Sequence, residues 1–118
     1  MAGSFGRPLR LFEGAWTDGA VLTNPTDTTT IVQVTGLQAG AYLVGVSGAG
    51  SVAWVYDIQH QNSAGVAQHT QRRRPAAGNE DYLFGSWIGI AAGDIFIALL
   101  VGGITGQLQM SLHTQRGE

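Results

Sequence analysis

Cysteine is missing from this chain of 118 residues, so neither a disulfide framework nor a thiolate metal site is open to it. Lysine is missing too, and all six basic residues are arginines. Against eight acidic residues they leave a net charge of -2, which argues against general attraction to DNA, RNA or an anionic bilayer. Charged residues make up only 12% of the chain, where about a quarter is usual for a soluble domain. A surface so poor in charge implies that other subunits cover part of it. Long apolar runs are also lacking: the longest, Ile95 to Ile104, falls well short of the roughly twenty residues that span a bilayer as a helix. The opening stretch MAGSFGRPLRLFEG has no continuous apolar segment after its arginines and does not read as a secretory signal. No segment keeps a helical period, no internal repeat stands out, and no glycine pattern of the phosphate-loop or dinucleotide type precedes a helix.

Glycine, by contrast, is plentiful, and it brackets short segments rich in Val, Ile, Thr, Tyr, Phe and Trp, as turns bracket strands. Residues 28–36 and 41–48 alternate, with Val32 and Val34 on one face of the first and Tyr42, Val44 and Val46 on one face of the second; the intervening LQAG suggests a hairpin. Residues 51–61 place Val52, Trp54, Tyr56 and Ile58 together, and NSAG turns the chain into a polar return strand over 66–74. Further strands are expected over 82–90, 95–103 and 105–114, with a short one over 19–24. Spacing of this kind predicts an all-β antiparallel β-sandwich, jelly-roll-like, of about seven or eight strands over residues 20–118.

Two regions depart from simple alternation. In the strand at 95–101, Ile95, Ile97, Leu99 and Val101 are expected to fill the core, yet Phe96, Ala98 and Leu100 make the opposite face apolar as well. Those three are the candidate self-association residues. Residues 1–19 carry Phe5, Leu9, Leu11, Phe12 and Trp16 among glycines and Pro8 without a period, and are expected to form an extended N-terminal arm that lays these side chains on a neighbour.

The string WIGIAAGDIFIALL (87–100), preceded by GLQAGAYLVGV (36–46), resembles the paired-strand signature of tumour-necrosis-factor-like jelly rolls, in which a strand reaches a Gly-Asp turn and the next begins at once. With the short length and the apolar arm, the chain is similar to the small trimeric jelly-roll decoration, or cement, proteins of tailed-phage capsids. That resemblance implies a homotrimer made in the host cytoplasm and carried on the capsid surface of the virion, with the major capsid protein as partner and head stabilisation as function. The alternative is a carbohydrate- or receptor-binding β-sandwich module of a phage fibre or tail.

Candidate chemistry is sparse. His60 and His69 could face each other across the second hairpin, but zinc would need a third ligand such as Asp57 or His113, and exposed cross-strand histidines among glutamines are the plainer account. Ser63, His60 and Asp57 lie close in sequence without a nucleophile elbow around the serine. No catalytic, metal or cofactor site is expected. Trp54 shares a face with the core residues of its strand, whereas Trp87, beside Gly85 and Gly89, is left accessible as an interface anchor. Arg72, Arg73 and Arg74 alternate in direction on an extended strand that Pro75 stops, so they cannot form one phosphate-binding row. They are expected to pair locally with Glu80 and Asp81, or to contact a protein neighbour, and not to bind nucleic acid.

Overall fold

A computed structural model describes residues 14–117. It contains β1 (Ala15–Asp18), β2 (Leu22–Thr23), β3 (Thr30–Val34), β4 (Gly40–Gly50), β5 (Tyr56–Gln61), β6 (Ala67–Arg73), β7 (Gly78–Leu83), β8 (Ile88–Ile90), β9 (Ile95–Leu100) and β10 (Gln107–Arg116). One sheet has the order β1-β10-β4-β7, with β2 added to β10 and β8 added to β4; the other has the order β3-β9-β5-β6, and all pairings are antiparallel. The eight longer strands thus form a jelly-roll sandwich, and the two short ones extend the larger sheet.

Alternation decides which side chains meet between the sheets. From the larger sheet come Tyr42, Val44, Val46, Leu108, Met110 and Leu112; from the smaller come Val32, Val34, Tyr56, Ile58, Phe96, Ala98 and Leu100. Each fully buried aliphatic or aromatic side chain here contributes roughly 1.5–3 kcal/mol relative to exposure.

Four expectations are corrected. The segments at 28–36 and 41–48 do not form a hairpin: β3 pairs with β9 and β4 with β10, so residues 35–39 cross from one sheet to the other. Gly36, at a φ of 73°, adopts the left-handed conformation that this crossing requires. The single strand expected over 82–90 is two: β7 already contains Glu80 and Asp81, and a separate β8 follows it on the same edge of β4. The sandwich begins at residue 15 and not at 20, because Ala15–Asp18 pairs with β10 of its own chain; this removes Trp16 from the arm and makes it part of the sheet. Phe5, Leu9, Leu11 and Phe12 lie outside the described residues.

The fourth correction reverses β9. Phe96, Ala98 and Leu100 are each 0% exposed and pack in the core, so they are not available for self-association. The register explains the reversal: they stand beside His60, Ile58 and Tyr56 of β5, all inward, while Ile95, Ile97 and Leu99 stand beside Gln61, Gln59 and Asp57. Ile97 faces outward yet is only 6% exposed, because β9 is flanked on both sides and places Ile97 between Gln33 and Gln59. Long polar neighbours from adjacent strands, and not another subunit, account for an apolar outer row on a central strand.

Candidate functional site: the outer face of the six-stranded sheet

Because inward positions of β10 and β4 are spent on the core, their alternate residues form the opposite face of the larger sheet. The registers assemble these residues into rows across four strands. One row reads Leu83, Gly45, His113, Trp16; the next reads Asp81, Ser47, Ser111, Asp18. On the far side of the first row, Leu43 pairs with Gln115.

The central positions are small. A side chain at Gly45 would come within 3.3 Å of Leu83 Cδ1, so the missing Cβ is what lets Leu83 lean over β4. Across the same row, the Trp16 indole lies 4.8 Å from the His113 ring at a tilt of 48°. Between the two walls lies a hollow of about 370 Å3, lined by Trp16, Gly45, Ser47, Asp81, Leu83 and His113. In the acidic row, the Ser111 hydroxyl donates to Asp18 at 2.7 Å. Trp87 stands at the other end of this face, its ring against Gly117, whose N–H donates to the Ala41 carbonyl. The floor is buried, but its rims are not: Trp16 is 47% exposed, Leu83 41% and Trp87 51%. Trp16 and Leu83 wall a hollow floored by small residues, and Trp87 adds a third large exposed apolar side chain on the same face; exposed apolar side chains gathered in this way mark contact surfaces. Both charged residues in the rows are carboxylates.

The arginines are engaged elsewhere, at the rim of the smaller sheet. Arg72 binds Asp57, its direct cross-strand partner, through two hydrogen bonds of 2.8 and 2.9 Å. Arg73 points the other way and bridges the two sheets by donating to Glu80 Oε2 at 3.0 Å, with its guanidinium 4.2 Å above the Tyr82 ring. The same Glu80 oxygen accepts the Tyr56 hydroxyl at 2.8 Å, and burial, reinforced by that bond, pushes the phenol well above its ordinary range. Arg74 is exposed and has no ion pair among the described residues. Local pairing with Glu80 was legible in the sequence; the pairing with Asp57 becomes visible once the hairpin register is known.

The histidines form a second cluster. His60 Nε2 lies 2.7 Å from Asp94 Oδ2, and its Nδ1 lies 3.1 Å from Nδ1 of His69. A carboxylate only accepts, so His60 Nε2 donates to Asp94; a singly protonated ring then accepts at Nδ1 from His69. The ring planes lie 16° apart, with nitrogen facing nitrogen. Among the described residues no three His, Asp or Glu side chains converge as a metal site. Asp57 faces outward towards Arg72 while His60 faces inward towards Phe96, so Ser63, His60 and Asp57 do not assemble.

The hydrogen bond from His60, and secondarily that from the Ala91 N–H, hold the Asp94 carboxyl below the usual carboxylate range. A lowered folded-state value means stability that is present above about pH 3.9 and lost as pH falls through the folded value. Asp94→Asn should therefore lower the urea midpoint at neutral pH, and its difference from the parent should shrink as pH falls below about 4. An undiminished difference in acid would show that the charge of Asp94 is not what stabilises this turn.

Compared with known protein families and with characterised proteins, the sequence matches none.

Proposed function

We propose that this chain is a structural assembly protein that associates with copies of itself through the outer face of its six-stranded sheet. The observation that carries this is the exposure of Trp16, Leu83 and Trp87 around a buried floor of Gly45, Leu43 and Ser111. Interfaces that hold permanent oligomers are apolar and closely packed, and a floor of small residues lets another backbone approach. The low charge content of the chain supports the same account. In this proposal the assembly is a homotrimer, the resemblance in sequence to capsid decoration proteins names its setting, and the major capsid protein is its partner on the surface of the virion.

Sedimentation equilibrium tests the self-association. The parent should be oligomeric at micromolar concentration, and Leu83→Glu, which places a charge in the apolar row, should weaken association at least about tenfold without loss of the β-sheet circular dichroism signal. A monomeric parent would remove the proposal. Co-sedimentation with purified capsids then tests the partner: retention of the parent on the shells is expected, and its absence would refute decoration.

A further inference from the structure

The apolar and acidic rows have a pitch. Neighbouring rows come from alternate residues of one strand, about 6.6–6.8 Å apart. An extended chain laid along the strands repeats its own side chains at the same interval, so three successive alternate residues can sit over three successive rows.

The residues before β1 have such a pattern. In FGRPLRLF, residues 5–12, the positions Arg7, Leu9 and Leu11 share one side of an extended chain, and Pro8 favours extension by disfavouring helix at Arg7 and removing a backbone donor. A cation followed by two leucines matches the acidic row, the Leu83 and Trp16 row, and the row of Leu43 in order. The charges are complementary, since Asp18 and Asp81 are the charged residues of those rows and Arg7 is the charged residue on that side of the segment.

Direction decides whose face is covered. β1 runs from the Gln115 end of the face towards Ser111, so residues preceding it start at the end remote from the acidic row. Placing Arg7 over the acidic row of its own sheet would require a full reversal at Gly14. Thirteen extended residues reach about 40 Å, enough to arrive on another subunit of a rotationally symmetric assembly.

We propose that residues 7–11 of a neighbouring copy lie along this face, with Arg7 over Asp81 and Asp18, Leu9 over Gly45 between Leu83 and Trp16, and Leu11 over Leu43. The inference rests on the self-association proposed above and names the segment that completes it.

Charge exchange in full-length chains tests the pairing. Arg7→Glu and Asp81→Arg should each weaken association about tenfold, and the two together in one chain should restore it to within about threefold of the parent. A double variant no tighter than the weaker single overturns the inference. The absence of cysteine permits a second test of the same contact: full-length Leu9→Cys and full-length Leu83→Cys, mixed and oxidised, should give a disulfide-linked heterodimer, since such a bond forms only at Cα separations of about 4.4–6.8 Å. Closure within one chain carrying both cysteines, with no linked dimer, overturns the assignment to a neighbour. An oligomer indifferent to both charge reversals overturns the inference alone, whereas a monomeric parent overturns the self-association as well.

Discussion

Phe96→Ala is expected to lower the unfolding free energy by about 3–5 kcal/mol while leaving the association of the folded fraction unchanged. Phe96 is wholly enclosed: its ring meets Tyr42 edge-on at 5.9 Å and His60 at 5.8 Å, and its neighbours in register are Val34 and His60. Truncation loses the transfer energy of the ring and leaves a cavity between two sheets that cannot close independently. Urea unfolding measures the loss, and sedimentation below the transition measures association. The opposite outcome, intact stability with weakened association, would return Phe96 to the surface and undo the assignment of the two faces of β9. Leu99→Ala provides the comparison, since its outward, partly buried side chain should cost distinctly less.

Glu80→Ala is expected to cost about 2–3 kcal/mol, most of it through Tyr56. The carboxylate serves two donors, of which the Arg73 guanidinium reaches solvent and the Tyr56 hydroxyl does not. Losing the half-exposed ion pair costs under about 1 kcal/mol; leaving a buried hydroxyl without an acceptor costs about 1–3 kcal/mol. The two contributions separate in a cycle. Tyr56→Phe introduced into Glu80→Ala should regain roughly 1 kcal/mol, because a phenyl ring asks for no acceptor, although the same change in the parent is destabilising. If Tyr56→Phe costs the same in both backgrounds, Glu80 is not the partner that matters to it.

How much of this was legible beforehand follows from where the chain's pattern is one-sided. In β10, and in β4 apart from Leu43, polar or small residues alternate with apolar ones, so Tyr42, Val44, Val46, Leu108, Met110 and Leu112 were assignable to the core from periodicity. In β9 every residue is apolar, and period two then carries no information about which set faces inward. Only the register with β5 settles it, through Gln59 and Gln61 beside Ile97 and Ile95. The link at 35–39 was misread for a related reason: a short glycine-bounded segment suits both a hairpin and a crossing between sheets, and long-range pairing with β9 and β10 decides between them. The apolar and acidic rows could not be seen at all, since each gathers residues from four separated strands. Their one visible trace was the run of small residues at alternate positions of β4, Gly45, Ser47 and Ala49. Trp87 was recognisable as accessible from its glycine neighbours, and it is exposed.

The outer surface of the smaller sheet bears on how such an assembly stops growing. Around the apolar outer row of β9 it carries Gln33, a Gln61–Gln59 hydrogen bond and the Asp57–Arg72 pair, and the edge strand β6 carries no large apolar residue. In the proposed assembly, a polar edge of this kind would discourage further strand pairing through β6. Association through the six-stranded sheet would, in that assembly, leave the smaller sheet on the outside.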